Sequence, residues 1–197
     1  MHYSKTVAAT LIALLPSTAF ANWSGSYVGL SYGQASEAEL TFDRETGVDD
    51  DYTFEESTPM GGFFGTRAQN GSMAYGFEAE MLFTDAAPNQ SVALNLDYLF
   101  DVKATAGYAV NDALIYGILS VSSSKVANNT AGDDVNGVGF GLGAGVAYKI
   151  SPSFSISAEY LARSMKSDMI DTRGPIDVDV EARTKVDTAT VRAAYHF

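Results

Sequence analysis

Apolar side chains occupy every second position along much of this chain. From Met73 to Phe83, six of them fall on one face, while Glu78 and Glu80 fall on the other. Successive side chains of a β-strand point to opposite faces, so this period of two predicts strands. The alternation recurs in eight segments, residues 23–34, 59–69, 73–84, 92–109, 113–124, 136–150, 154–164 and 186–197. The chain is therefore predicted to be all-β.

The lengths and faces of these segments favour a membrane barrel over a soluble sandwich. The apolar face is continuous and bordered by aromatic side chains, whereas the polar face carries small residues and isolated charges of both signs. Most segments reach about ten residues, the length of a tilted strand that crosses a bilayer, whereas soluble strands average about 5–6 residues. We therefore predict an eight-stranded antiparallel transmembrane β-barrel with apolar residues toward lipid. Segment 113–124 is apolar on both faces, and its facing stays open.

The predicted connections between segments alternate between short and long. Asn70-Gly71, Asn111-Asp112 and Ser151-Pro152-Ser153 are short, and the first is a strong hairpin signal. Outer-membrane barrels have short periplasmic turns and longer external loops, and an even strand number places both termini on the periplasmic side. The longer connections, which we predict to be external, are 35–58, 85–91, 125–135 and 165–185.

The first residues have the layout of a secretory signal. Lys5 precedes a short apolar run, residues 7–15, and Ala19 and Ala21 provide the small residues of a cleavage site. The run is too short for a transmembrane helix, which takes about 20 residues; the alternative is a buried N-terminal helix. We expect residues 1–21 to be removed on export and residues 22–197 to form an outer-membrane barrel domain.

Composition excludes several classes of function. The chain has no cysteine, so thiolate chemistry and cysteine metal sites are excluded. A formal net charge of −12 argues against nucleic acid as a partner, because phosphate backbones require a basic surface. The acidic connection 37–56 is interpreted as a solvated, mobile loop; contact with divalent cations is the alternative. Because Asp49-Asp50-Asp51 lacks the spacing and glycine of an EF-hand loop, we predict no metal site.

Three stretches carry a family resemblance: Asn22–Leu30, Gly139–Tyr148 and Val191–Phe197. With them the chain resembles the small outer-membrane barrels typified by the transmembrane domain of outer membrane protein A. More narrowly, it resembles the porin family, or immunogenic outer-membrane proteins, of alphaproteobacteria. The resemblance implies a monomeric barrel in contact with outer-membrane lipids and lipopolysaccharide. It also implies that Tyr195 and Phe197 form the signal read by the barrel-assembly machinery.

The predicted lumen carries charges of both signs. Counting from the short turns places Glu78 and Glu80 near Lys103, and Glu159 near Arg192. Buried charges must be paired, and eight strands leave an interior just wide enough for side chains to fill. The charges then form either a polar plug or a gate of exchanging salt bridges. The predicted inward set is Arg67, Glu78, Glu80, Asp97, Asp101, Lys103, Lys149, Glu159, Arg163 and Arg192.

Glycine fills every odd position from Gly137 to Gly145. Their missing side chains would either leave a small channel or make room for large neighbours such as Arg192, and we favour the second reading.

We predict that the protein is not an enzyme and binds no cofactor. Its only histidine after the signal, His196, lies at the periplasmic end, whereas barrel enzymes of this superfamily use a histidine near the outer rim. No Gly-x-Ser-x-Gly motif is present. The predicted role is structural and surface-interacting, supporting envelope integrity and contacting lipopolysaccharide, host or phage through the loops. The alternative is a narrow passive diffusion channel gated by salt bridges of the lumen.

Overall fold

The structure, a computed structural model, describes residues 21–35, 39–44, 50–53, 57–86, 94–128, 135–171 and 178–197. In these parts of the chain no helix is long and apolar enough to cross a bilayer. Within the same ranges the backbone forms ten β-strands: β1 Gly25–Ala35, β2 Glu39–Arg44, β3 Asp50–Thr53, β4 Met60–Asn70, β5 Met73–Ala86, β6 Leu94–Val110, β7 Ala113–Asn128, β8 Val135–Ser151, β9 Phe154–Asp171 and β10 Val178–His196.

Eight of the described strands close into a barrel. Strands β1 and β4 to β10 pair antiparallel in chain order, and β1 pairs with β10 from Tyr27↔His196 to Ala35↔Thr188. Closure gives every strand two neighbours, which satisfies the backbone hydrogen bonds that a bilayer leaves without water. The predicted eight-stranded antiparallel barrel is confirmed.

The first long connection contains strands that the sequence analysis missed. Strand β2 pairs with β10 from Lys185↔Glu39 to Val180↔Arg44, and β3 pairs with β2. The last pair between β1 and β10 is Ala35↔Thr188, and β10 extends past it to Val178. This part of its edge therefore offers backbone groups that β2 can bond. The interpretation of residues 37–56 as a mobile loop is therefore wrong for β2 and β3. The side chains of these acidic residues lie outside the described set.

The short turns gather at one end of the barrel, here called the turn end, and the opposite end is the loop end. In the first turn the loop residues are Gly71 and Ser72, one position later than the predicted Asn70-Gly71 pair. Gly71 has φ +60° and Asn111 in the second turn has φ 53°, a conformation that glycine and asparagine tolerate best.

Large apolar side chains cover the outer face of the barrel. Leu30, Phe77 and Phe140 are 73%, 68% and 75% exposed. A soluble protein rarely exposes so continuous an apolar surface, so this apolar band is the lipid-facing surface. Segment 113–124, which the sequence left unassigned, follows the same rule: Leu114 is buried in the lumen and Leu119 faces outward.

The sheet continues past the apolar band at the loop end. On the outward face of β9 the apolar band runs from Phe154 to Tyr160, and the exposed polar residues Ser164 and Lys166 follow it. Residues predicted to form the fourth long connection, 165–185, instead extend β9 to Asp171 and begin β10 at Val178. We call these extensions of β9 and β10, together with β2 and β3, the wall; it lies beyond the apolar band at the loop end.

Candidate functional site: the charged layer of the lumen

The pairing register of the strands places the predicted lumen charges at a similar height in the barrel. Glu78 on β5 is the register partner of Lys103 on β6. Glu159 on β9 is opposite Thr190, two residues from Arg192 on β10. Because each of these charged side chains lies on the polar face of its strand, all of them point into the barrel, and all are buried. With Glu80 they form the cluster that we call the ionic layer.

Three carboxylates share two cations in the ionic layer. The Lys103 ammonium lies 2.8 Å from Glu159 Oε2 and 3.3 Å from Glu78 Oε1, and it also donates to Glu80. The Arg192 guanidinium donates hydrogen bonds to Glu159 and to Glu78, and its Nε lies 3.5 Å from Glu80 Oε1. Each carboxylate thus contacts both cations, so the layer behaves as one network.

Two tyrosines complete this network, and the sequence analysis missed both. The Tyr27 hydroxyl donates to Glu78 Oε2 at 3.1 Å, and the Tyr116 hydroxyl donates to Glu159 Oε1 at 2.7 Å. A buried carboxylate needs such donors because it has lost its water. Tyr116 lies in segment 113–124, which is apolar on both faces. The alternation there did not show which side chains face the lumen, so Tyr116 could not be assigned to it.

A second ion pair lies beside the ionic layer. The Arg163 guanidinium binds Asp101 with two nitrogens, Nε to Oδ1 at 2.9 Å and Nη2 to Oδ2 at 2.6 Å. This paired geometry is the strong form of an arginine–carboxylate contact. Ser122 Oγ donates to Asp101 Oδ1 at 2.6 Å, and Arg163 Nη1 donates to Thr188 Oγ1 at 2.8 Å. Asp101 and Arg163 are therefore each bonded to the other and to a neighbouring hydroxyl group.

Arg67 is held by aromatic rings instead of a carboxylate. Its guanidinium carbon lies 5.6 Å from the Trp23 ring, 5.0 Å from the Tyr27 ring and 5.5 Å from the Tyr116 ring. Among the described residues no carboxylate comes within salt-bridge distance of it. Ring faces attract cations, so this buried charge is stabilised in a way that charge spacing along the sequence does not predict.

Positive and negative charges balance inside the barrel. Among the described residues, the buried ionised side chains are four acids and four bases, so their formal charges sum to zero. Such balance is expected where low polarity makes any excess charge costly. The eight are Glu78, Glu80, Asp101 and Glu159 with Arg67, Lys103, Arg163 and Arg192.

Apolar side chains pack on both sides of the charges. At the turn end, Trp23 joins a cluster of inward side chains that includes Ala109, Leu114 and Ala147. Toward the loop end, Leu82 and Leu99 are register partners, and both are fully buried. Met165 is equally inaccessible. Side chains thus fill the described interior, as a barrel of eight strands permits.

Asp97 does not belong to the lumen, contrary to the prediction. The ladder between β6 and β7 shifts between Leu96 and Tyr98. Such an irregularity breaks the alternation of faces, so Leu96 is buried and Asp97 is exposed on the outer face. A period of two counted along the sequence cannot detect this shift.

Lys149 also lies apart from the ionic layer. Its ammonium donates to the carbonyl oxygens of Asn22 at 2.7 Å and Pro152 at 3.1 Å, and lies 5.4 Å from the Trp23 ring. It thereby ties the N-terminal stretch to β8 at the turn end. Lys149 is half-buried at the turn end, so it was correctly predicted to point inward but is not part of the ionic layer.

The glycines of β8 make room for neighbours other than Arg192. A Cβ on Gly145 would lie 2.5 Å from Cζ of Tyr116, and one on Gly141 would lie 2.3 Å from Ser120 Oγ. These glycines therefore leave space for side chains of β7, including the tyrosine that binds Glu159. The favoured reading, that the glycines make room for large neighbours, is confirmed for Tyr116, whereas Arg192 is not among the nearest atoms to these glycines.

The three glutamates would offer a divalent cation a set of hard ligands. One oxygen from each of Glu78, Glu80 and Glu159 lies within 4.8 Å of the others, and such oxygens are the donors that Ca²⁺ and Mg²⁺ prefer. Lys103 and Arg192 already lie among these oxygens. They supply the positive charge that a metal ion would bring.

His196 lies at the turn end with a serine partner. Its Nε2 is 2.8 Å from Ser155 Oγ, while Nδ1 is buried without a hydrogen-bond partner. A catalytic serine–histidine pair needs a third group that orients the imidazole. Instead, the ring packs edge-on against Trp23 at 6.0 Å. The His196 ring thus packs beside Trp23 and Ser155 at the turn end.

The other predicted residues lie at the ends of the chain. Tyr195 and Phe197 are exposed on the outer face, and Tyr195 packs against Phe154 at 5.1 Å. Their role in assembly stays a prediction. Ala19 lies outside the described residues, whereas the Ala21 amide donates to the Asn111 carbonyl at 3.3 Å. Signal cleavage at these residues also stays a prediction.

Comparison with known proteins extends these findings. The family model for the outer membrane protein beta-barrel domain matches residues 6–197. A 22 kDa outer membrane protein of Rhizobium leguminosarum bv. viciae is 27% identical over 142 residues, which cover 71% of this chain and 63% of that protein. The chain therefore spans less than two thirds of the length of this relative.

Two solved structures show the same fold at low sequence identity. OprG from Pseudomonas aeruginosa aligns with a TM-score of 0.57 and 10% identity, covering 90% of this chain and 98% of that one. The outer membrane protease OmpT from Escherichia coli aligns with a TM-score of 0.54 and 9% identity, covering 91% and 99%. At such identities the likeness concerns the fold alone.

Proposed function

Since the chain belongs to the outer membrane protein beta-barrel domain family and is located in the outer membrane, we propose that it is a closed, non-conducting barrel with a structural and surface-interaction role. The observation that supports the closed state is the filled lumen. Among the described residues, eight buried charges balance one another, and apolar side chains pack above and below them.

Opening such a lumen would separate buried ion pairs. Moving Arg192 away would leave Glu78 and Glu159 with an uncompensated negative charge in a medium of low polarity. Breaking a buried pair in this way costs about 3–5 kcal/mol. Because every glutamate contacts both cations, one pair cannot separate without disturbing the others, which favours the closed arrangement.

The wall at the loop end supports the surface part of this proposal. Strand β10 has 19 residues, whereas about ten cross a bilayer. The remainder carries β2 and β3 on its edge and stands where external loops lie in outer-membrane barrels. This rigid sheet would present the contacts that we propose with lipopolysaccharide, host or phage, after insertion by the barrel-assembly machinery.

Single-channel conductance of the purified barrel in a planar bilayer tests the closed state. We expect no conductance steps from protein whose folding is verified by heat-modifiable gel migration. Reproducible steps that change in size or selectivity with Glu78→Ala or Lys103→Ala would contradict the proposal. Asp97→Asn is the matched control, since it removes a carboxylate from the outer face and not from the lumen.

A narrow diffusion channel is the second candidate, and Arg67 is the observation that favours it. Arg67 Nη2 lies 3.5 Å from the Tyr27 hydroxyl, which itself binds Glu78. Since no described carboxylate pairs with Arg67, its guanidinium could bind Glu78 if Arg192 moved away. If the wild-type barrel conducts, Arg67→Met should shorten or abolish the open state. Lys149→Gln, which removes a cation outside the ionic layer, should leave it unchanged.

A further inference from the structure

A cleft of about 670 Å³ lies at the turn end, beside the stretch of chain that precedes β1. Ala21, Asn22, Asp112 and Lys149 are among its lining residues, and we call it the turn-end cleft. The bond between Ala21 and Asn22 is the one that the sequence analysis predicts to be cleaved on export. Both residues that flank this bond thus lie against the folded barrel.

The three residues that would begin the processed chain are held by atoms of the barrel strands. Lys149 Nζ donates to the Asn22 carbonyl oxygen at 2.7 Å, and the Trp23 amide donates to Gln69 Oε1 at 2.7 Å. Ser24 Oγ accepts a hydrogen bond from the Gln69 amide at 3.0 Å. The Trp23 ring is fully buried. A chain that starts at Asn22 therefore presents its amino group at a defined place.

That place is next to the Asn111-Asp112 turn between β6 and β7. The Ala21 amide donates to the Asn111 carbonyl oxygen at 3.3 Å. One residue spans at most about 3.6 Å of chain, so the Asn22 nitrogen lies within about 7 Å of this oxygen. Hydrolysis of the Ala21–Asn22 bond adds one water molecule, which leaves a carboxylate on Ala21 and an α-ammonium on Asn22. An uncharged amide nitrogen thereby becomes a cation with three N–H donors.

Asp112 is the only acid among the described residues that line the turn-end cleft. Its carboxylate has no hydrogen-bond or ion-pair partner in the described parts of the chain. Lys149 adjoins it, since the Lys149 amide donates to the Asp112 carbonyl at 2.9 Å. The Lys149 ammonium, however, donates to the carbonyl oxygens of Asn22 and Pro152 and not to this carboxylate. The Asp112 carboxylate is therefore available to a second cation.

We propose that removal of the signal creates an ion pair between the Asn22 α-ammonium and the Asp112 carboxylate, which fastens the N-terminal stretch in the turn-end cleft. The pair holds Trp23 beside Arg67, whose guanidinium carbon is 5.6 Å from the Trp23 ring. Closure of the turn end is then completed only in the processed chain. The inference rests on the predicted cleavage site and does not depend on a closed lumen.

The acylation rate of the α-amine tests this pairing in protein purified from outer membranes. Amines react with an N-hydroxysuccinimide ester only when they are unprotonated, and a neighbouring carboxylate raises the pKa of an amine by stabilising the ammonium. At pH 7 the Asn22 amine should react about tenfold more slowly in the folded than in the heat-unfolded barrel, which corresponds to one pKa unit. Proteolysis and mass spectrometry of the N-terminal peptide follow this amine separately from the lysines.

Three variants show whether the Asp112 carboxylate is responsible. Asp112→Asn should react about tenfold faster than wild type in the folded state, whereas Asp112→Glu should keep the slow rate. Asp97→Asn removes an exposed carboxylate from the outer face and should react like wild type. All variants should keep heat-modifiable migration. Equal rates in folded wild type and Asp112→Asn would overturn the proposal.

Salt separates pairing from simple burial of the amine. Because the screening length is about 3 Å at 1 M ionic strength, 1 M salt should bring the folded wild type toward the unfolded rate. Slow acylation that persists unchanged in 1 M salt would overturn the proposal, since burial alone would then explain it. An intact mass showing that the purified chain does not begin at Asn22 would also overturn it.

Trp23 supplies a second readout. Asp112→Asn should make its fluorescence more accessible to the aqueous quencher acrylamide, whereas Asp97→Asn should not. Unchanged quenching in Asp112→Asn would show that the pair does not hold Trp23. Conductance in the wild type would refute the closed lumen but leave the acylation rates as predicted, so failure of this inference is distinguishable from failure of the proposed function.

Discussion

Glu159 is a carboxylate of the ionic layer that is held by both cations and by a tyrosine. It accepts hydrogen bonds from Lys103, Arg192 and Tyr116, which come from three different strands. Removing a network member of this kind leaves the other charges buried and unbalanced. Stability at the scale of single residues therefore depends on pairing as well as on apolar burial.

Glu159→Gln should lower the free energy of unfolding by about 3–5 kcal/mol, because the amide loses the charged contacts to both Lys103 and Arg192 and leaves three acids for four bases in the described interior. Urea unfolding in lipid vesicles, followed by gel migration, measures this change. Asp97→Asn makes the same chemical replacement on an exposed side chain and should alter stability by less than about 0.5 kcal/mol. Equal effects of the two substitutions would argue that the ionic layer contributes no net stability.

Gly145→Ala should destabilise the barrel because its Cβ would lie 2.5 Å from Cζ of Tyr116. Displacing that ring also weakens its hydrogen bond to Glu159, so we expect a loss of about 1–3 kcal/mol. Gly117→Ala is the matched control, since the nearest atom to its Cβ is 4.0 Å away. The same urea titration distinguishes them, and a tolerated Gly145→Ala would show that Tyr116 can move freely.

Individual residues mark where sequence reasoning succeeds and where it stops. The proximity of Glu78 and Lys103 was predictable because each position was counted from a short turn at the same end of the barrel, β4–β5 for Glu78 and β6–β7 for Lys103, and a period of two fixes the face. Asp97 was misplaced because a ladder irregularity leaves no mark on composition. Arg67 was predicted to face inward, but its aromatic surroundings join β1, β4 and β7. Contacts between strands distant in sequence depend on closure, which alternation within one segment does not describe.

The β2–β3 hairpin extends the sheet without helping to close it. Strand β1 already pairs with β4 and β10, and Ala35 bonds Ser57 just beyond the last β1–β4 pair, with its amide 2.9 Å from the Ser57 carbonyl. At the scale of elements, the wall is an addition to a barrel that is complete below it. The sequence placed the eight membrane strands correctly but not this addition, since the residues of β2 and β3 do not continue a lipid-facing pattern.

Replacing residues 36–56 by a short glycine-containing turn should leave the barrel folded. The eight closing strands keep one another as partners and only β10 loses its pairing with β2, so heat-modifiable migration should match that of wild type. Loss of heat-modifiability would mean that β2 is needed to hold β10 in place. A turn of equal length inserted between Ser151 and Phe154 provides a control for the effect of changing a connection.

Trp23 reports on the whole molecule, because it is the only tryptophan and is fully buried at the turn end. Its surroundings are side chains of the lumen and not lipid. Its fluorescence should therefore resist quenching by brominated lipids in the folded barrel. Trp23→Phe combined with Phe77→Trp moves the fluorophore to the apolar band, where brominated lipids should quench it strongly. Strong quenching of Trp23 itself would contradict the position described for the N-terminal stretch.

The balance of charge inside the barrel has a consequence for how such a protein can diversify. Among the described residues the interior contributes no net charge, so the formal net charge of −12 is carried by residues other than these eight. Exposed carboxylates can then be gained or lost without altering the packing that closes the barrel. The isoelectric point can therefore change through exposed residues alone, while the need for paired charges constrains the residues of the interior.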